Sequence, residues 1–70
     1  MKIRYFKALE TFESEGRIFK EGEIYPAEYK NESVVFIAEN GQFMFTERLF
    51  EKLVIAWDDS IVEVQDEENI

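Results

Sequence analysis

The sequence of 70 residues contains no cysteine and no histidine. Their absence excludes disulfides, thiolate clusters, zinc-finger sites and haem ligation by these side chains. It also excludes a serine-type catalytic triad, in which histidine is the general base. None of the three glycines belongs to a glycine-rich loop that could cradle phosphate. We therefore expect no enzymatic activity, no catalytic residue, no cofactor and no metal site.

Long apolar segments are absent as well. The longest uncharged apolar run, residues 34–38, has the length of a strand and not of a membrane span. Lys2 and Arg4 are not followed by an apolar stretch of the length that a signal peptide requires. Since the sequence shows neither an export pattern nor cysteine, we expect a cytoplasmic protein that does not bind membranes.

The chain does have a large apolar and aromatic fraction. Hydrophobic residues make up 46% of it, and they include seven Phe, three Tyr and one Trp. Because each aromatic side chain buries a large apolar area, this supply favours a packed domain over disorder despite the net charge of −8. We expect a single domain at residues 1–64 and an acidic, disordered tail at residues 65–70.

Negative charge is concentrated in the second half of the sequence. Residues 1–30 hold six acidic and six basic side chains, so the whole net charge of −8 falls on residues 31–70. An acidic surface repels nucleic-acid phosphates and attracts basic partners, although it can also serve solubility alone. We therefore expect no nucleic-acid partner, and we identify Asp58, Asp59 and Glu63 as candidate partner-binding residues.

The clearest local signal predicts a β-hairpin. Residues 33–39 and 42–46 are rich in β-branched and aromatic side chains, and an Asn-Gly pair at 40–41 separates them. Asn-Gly is the preferred pair of a two-residue type I′ turn, because both positions need a positive φ. Such a turn places Glu39 opposite Gln42. The pairs that follow are Ala38–Phe43, Ile37–Met44, Phe36–Phe45 and Val35–Thr46.

Directly paired residues share one face of a sheet, so the hairpin has two apolar faces. We expect the first face to point into the core; its members are Val34, Phe36, Ala38, Phe43 and Phe45. The second face carries Val35, Ile37 and Met44, which we identify as candidate partner-binding residues because exposed apolar patches often mark interfaces. The alternative is that Tyr29, a chain terminus or a second copy of the chain covers this face.

Shorter segments complete the predicted fold. Strands are indicated at residues 2–9, 17–19 and 23–25, and the last of them ends at Pro26, which has no N–H to donate. Thr46 can cap a short helical turn at 47–53.

A final pair of strands is predicted at residues 54–57 and 60–64, joined by a turn at Asp58-Asp59. Besides the hairpin phenylalanines, we expect the apolar residues of the helical turn and the single tryptophan to be core residues; together these are Phe36, Phe43, Phe45, Leu49, Phe50, Leu53 and Trp57.

Five or six short strands and one late helical turn predict an all-β fold, in the form of a small antiparallel barrel at residues 1–64. Three features carry a resemblance: Gly22-Glu23-Ile24-Tyr25 after a short strand, the hairpin with its Asn-Gly turn, and the helical turn 47–53 before the last strand. In these the sequence resembles the small SH3-like β-barrel proteins of uncharacterised bacteriophages and prophages. It lacks the Ala-Leu-Tyr-Asp-Tyr motif and the Trp-Trp pair of signalling SH3 domains, so the resemblance does not imply binding of proline-rich peptides.

These observations favour a non-enzymatic protein-interaction module. The resemblance suggests a phage-encoded modulator of a host protein, and a homodimer is a further possibility. One alternative is an acidic nucleic-acid mimic that occupies the basic site of a DNA- or RNA-binding protein. A second alternative is direct nucleic-acid binding, as some SH3-like domains do, through a basic N-terminal strand. The residues it would use are Lys2, Arg4, Lys7 and Arg17, with Tyr5 and Phe6 nearby.

Overall fold

A computed structural model describes residues 2–65 of the chain. The fold is all-β, with seven strands, where the sequence predicted five or six, and one helix. The elements are β1 (Lys2–Ala8), β2 (Phe12–Ser14), β3 (Arg17–Phe19), β4 (Ile24–Lys30), β5 (Ser33–Ile37), β6 (Gln42–Thr46), α1 (Glu47–Ala56) and β7 (Ile61–Val64). Of the predicted acidic tail, residues 66–70 lie outside the described residues.

All strand pairs in the described residues are antiparallel. Five strands form one sheet in the order β6-β5-β4-β1-β7, and β2 pairs with β3 in a separate hairpin. Two connections are two-residue turns in which both residues have positive φ, as a type I′ turn requires. They are Glu15 (49°) with Gly16 (83°), and Asn31 (48°) with Glu32 (70°).

The predicted turn at Asn40-Gly41 is wrong. A four-residue loop joins β5 to β6, closed by a bond from the Ala38 N–H to the Gly41 carbonyl at 2.8 Å, and neither Asn40 nor Gly41 has a positive φ. Contacts with β3 explain the difference, because the Asn40 side chain accepts from the Ile18 N–H at 2.9 Å and donates to the Gly16 carbonyl at 2.8 Å. The loop is therefore shaped by its docking on the β2–β3 hairpin.

This longer loop shifts the predicted register by two residues. Phe36 lies opposite Phe43, and Val35 lies opposite Met44. Because side chains alternate with a period of two along a strand, a shift by two leaves every side chain on its predicted face. The assignment of the two faces is therefore correct although the pairing is wrong.

The helix extends beyond the predicted turn at 47–53. Its first turn is capped as expected, since the Thr46 hydroxyl accepts from the Leu49 N–H at 3.1 Å. Residues 54–56 were predicted to be strand, and this is wrong because they continue α1. The reason is a helical apolar stripe with spacings of three, four and seven residues. Its members are Phe50, Leu53, Val54 and Trp57.

Two further expectations are wrong. β7 pairs with β1, with Ala8 opposite Ile61, and not with residues 54–57. Pro26 lies inside β4 and does not end it. It lies one residue beyond the last pair between β4 and β5, Ala27–Phe36, so its missing N–H removes no bond from that ladder.

The core lies between one side of the five-stranded sheet and two covering elements, α1 and the β2–β3 hairpin. Phe50 of α1 contacts the rings of Phe6 and Phe36 edge-on at centroid distances of 5.6 and 5.3 Å. Phe19 of β3 contacts Phe36 and Tyr25 at 5.2 and 5.0 Å. All of the described buried residues are apolar or aromatic. They are Phe6, Ala8, Phe19, Tyr25, Ala27, Tyr29, Val34, Phe36, Ala38, Phe50 and Ile61.

Of the predicted core residues, Phe36 and Phe50 are fully buried, and four others are partly buried against them: Phe43, Phe45, Leu53 and Trp57. Leu49 was also predicted to be core, and this is wrong because its side chain is 52% exposed. It lies on the solvent side of α1, outside the apolar stripe.

Candidate functional site

The side of the five-stranded sheet opposite the core is also apolar. We call it the outer sheet face and define it by the apolar side chains that the strand register places there. They are Ile3, Tyr5, Ile24, Pro26, Val35, Ile37, Met44, Val62 and Val64. The side that contacts α1 and the β2–β3 hairpin is the inner sheet face.

Cross-strand pairing arranges the outer sheet face in rows. The central row runs from Val64 through Tyr5 to Pro26. The row above it contains Ile3, and pairing extends it through Glu28 to Val35 and Met44. The row below contains Val62, Lys7 and Ile24. The face is thus a largely apolar surface across five strands, in which Glu28 interrupts the row above and Lys7 interrupts the row below.

Solvent reaches much of this surface. Met44 is 68% exposed, and Ile3, Ile24 and Val62 are 40 to 43% exposed. The other five apolar side chains are half-buried by their neighbours in the sheet. In residues 2–65, α1 and the β2–β3 hairpin both contact the inner sheet face, so neither covers the outer one. Apolar patches left open in this way often mark interfaces.

Sequence reasoning found part of this site. The structure places Val35, Ile37 and Met44 together on the outer sheet face, as predicted. Tyr29, considered as a cover for them, lies instead in the core. The remaining apolar members of the face were missed. The alternation of Ile3 and Tyr5 along β1 was visible, but nothing in the sequence indicated that β1 lies between β4 and β7.

The structure separates the three predicted acidic residues. Asp58 and Asp59 are exposed in the turn that follows α1. Glu63 lies at the edge of the inner sheet face, where both of its carboxylate oxygens accept from Arg4 at 3.0 and 2.8 Å. These hydrogen bonds hold the pKa of Glu63 below its ordinary value. In the described part of the chain, no three acidic side chains lie close enough to hold a metal ion.

Arg4 is the centre of a polar network that links β1, β4, β7 and α1. Its guanidinium also donates to the Tyr29 hydroxyl and to Glu51, both at 2.7 Å. The Tyr29 hydroxyl in turn donates to Glu51 at 3.1 Å, and burial raises the pKa of this tyrosine. Arg4 is therefore engaged, and Phe6 is buried. The arrangement does not present the basic and aromatic residues of β1 as one surface for nucleic acid.

Residues 2–65 enclose no pocket for a small molecule. Within the same residues, no helix has the length and apolarity needed to cross a membrane. Comparisons of the chain with protein-family models, with curated proteins and with solved structures find no match.

Proposed function

We propose that this protein is a non-enzymatic protein-interaction module that binds a protein partner through the outer sheet face. The observation that carries the proposal is the largely apolar surface of five strands, which no element in residues 2–65 covers. Met44 at its margin is mostly exposed, and an unbranched methionine side chain adapts readily to a partner. The biological setting that we propose is a phage-encoded modulator of a host protein, on the resemblance alone, and a cytoplasmic location, because the sequence shows neither cysteine nor an export pattern.

Two isoleucines provide a matched test. Ile37 lies on the outer sheet face, whereas Ile55 lies on the solvent side of α1 and is 73% exposed. We expect Ile37→Glu to abolish capture of a partner from a host lysate and Ile55→Glu to leave it intact, with circular dichroism showing that both variants fold. Capture of the same partner by both variants would contradict the proposal. Loss of folding in Ile37→Glu would mean that Ile37 is a core residue; Met44→Glu then repeats the test.

The acidic surface supports a second proposal, the nucleic-acid mimic. The Ser60 hydroxyl donates to Glu10 at 2.9 Å, which brings the loop after β1 beside the turn with Asp58 and Asp59. Carboxylates from both halves of the chain thus lie near one another. This mode of binding should weaken steeply with salt and should be reduced by Asp58→Asn with Asp59→Asn. Partner binding that is insensitive to salt and to this double substitution would exclude it.

A further inference from the structure

We propose that the partner of the outer sheet face is a second copy of this chain, stacked face to face about a two-fold axis. This inference rests on the proposed function, because it identifies the protein that the same surface binds. A homodimer interface of this kind is isologous, so each residue contact occurs twice.

The charge of the outer sheet face differs from that of the whole chain. In the strands, its charged side chains are Lys7, Glu28 and Lys30, which give a net charge of +1. Residues 2–65 hold 13 acidic and eight basic side chains, a net charge of −5, so the excess of acid in this part of the chain lies off the outer sheet face. Two copies would repel each other across most of their surfaces. Stacking through the outer sheet faces keeps the acidic side chains of residues 2–65 away from the interface and lowers this repulsion.

The positions of two opposite charges match a two-fold axis. Glu28 lies opposite Ile3, one row above the central row, and Lys7 lies opposite Ile24, one row below it. A two-fold axis that lies in the interface and runs along the central row exchanges the row above with the row below. Glu28 of each copy then faces Ile24 of the other copy and lies one strand spacing to the side of its Lys7. The contact within one chain that competes for Glu28 is weak, because Lys30 lies 3.7 Å away and is half exposed.

The area of the face predicts how tightly two copies bind. Five strands about 4.8 Å apart and three to four side-chain rows about 7 Å apart cover roughly 500–700 Å² as a flat surface. This lies below the roughly 800 Å² per partner that is typical of stable interfaces. We therefore expect a reversible dimer that dissociates in the micromolar to millimolar range. A chain of 70 residues buries a modest core, so the apolar area buried in a dimer would add to the stability of the fold.

Exchanging the charges of Lys7 and Glu28 in the full chain tests the homodimer. Sedimentation equilibrium from micromolar to millimolar protein should show a monomer–dimer equilibrium for the natural sequence. Lys7→Glu and Glu28→Lys should each weaken association about tenfold, because each brings like charges close to each other across the interface twice. The double variant, in which the two charges are exchanged, should restore association. Lys20→Glu is the charge-matched control in an exposed turn, and it should leave association unchanged.

Each other outcome has a defined meaning. A chain that stays monomeric at all concentrations overturns the homodimer, and so does association that the exchanged variant fails to restore. If the monomeric chain still captures a different protein, and Ile37→Glu but not Ile55→Glu abolishes this capture, the proposed function survives without the homodimer. If neither self-association nor capture depends on Ile37, both proposals fail.

Discussion

The two faces of the five-stranded sheet are both apolar, yet they differ in the side chains they carry. Tyrosine and phenylalanine rings dominate the inner sheet face, and the rings of Phe19 and Phe50 close over it. Aliphatic side chains dominate the outer sheet face, where Tyr5 is the one aromatic residue of the described strands. Apolar character alone therefore does not define which face is the core. The core lies on the face that α1 and the β2–β3 hairpin cover.

The largest expected effect comes from adjacent substitutions in β5. Phe36 is fully buried on the inner sheet face, whereas Ile37 is half-buried on the outer one. Phe36→Ala should lower the free energy of unfolding by about 3–5 kcal/mol, since it leaves a cavity among packed rings. That is a large part of the roughly 4–10 kcal/mol expected of a chain this size. Ile37→Ala should cost about 1–2 kcal/mol. Urea denaturation measures both, and similar losses would mean that the faces are not distinct.

A second prediction compares the type I′ turn of the β2–β3 hairpin, which covers the inner sheet face, with the loop between β5 and β6. Gly16 has a φ of 83°, so Gly16→Ala should destabilise the fold by about 1 kcal/mol. Gly41 lacks a positive φ, and a Cβ placed there would meet the flexible Arg17 side chain at 3.4 Å. Gly41→Ala should therefore change the free energy of unfolding by less than about 0.5 kcal/mol. A larger loss at Gly41 than at Gly16 would favour the type I′ turn at 40–41.

The smallest effect on the free energy of unfolding is expected when low pH protonates Glu63 at the edge of the inner sheet face. Arg4 lowers the pKa of folded Glu63 below its ordinary value of 4.5, so this pair stabilises the fold above that pH. The contribution is lost as the pH falls through the folded pKa. It should amount to less than about 1 kcal/mol, because the Glu63 side chain is 47% exposed. Denaturant titrations between pH 7 and about 3 should show this loss in the natural sequence and in the control Arg48→Met. Arg4→Met should lack it, and an unchanged pH dependence there would contradict the role of the pair.

The sequence was sufficient to predict which residues of the central hairpin share a face. Val34 and Phe36 were assigned to the core, and Val35 to the opposite side, because strand alternation survives the two-residue error in register. The Asn-Gly turn itself could not be predicted correctly. Its local preference is outweighed by the hydrogen bonds of Asn40 to Ile18 and Gly16, which lie more than twenty residues away.

Long-range contacts also explain why residues 54–56 were wrongly predicted as strand and why most of the outer sheet face was missed. Residues 54–56 are β-branched or small and fit a strand locally, but Val54 completes a helical stripe with Phe50 and Leu53 that packs against the sheet. The full extent of the outer sheet face depends on β1 lying between β4 and β7. No local pattern encodes that order, so only the part of the face that lies in the hairpin was predicted.

Two neighbouring valines test the separation of the faces most directly. Val34 is fully buried on the inner sheet face, and Val35 lies on the outer one. Valine and threonine have the same shape, so Val→Thr changes polarity with little change in volume. Urea unfolding at low protein concentration should show a loss of about 1–3 kcal/mol for Val34→Thr, because a hydroxyl is buried there. Val35→Thr should stay within about 0.5 kcal/mol of the natural sequence. Equal losses, or a larger loss at Val35, would contradict an open outer sheet face.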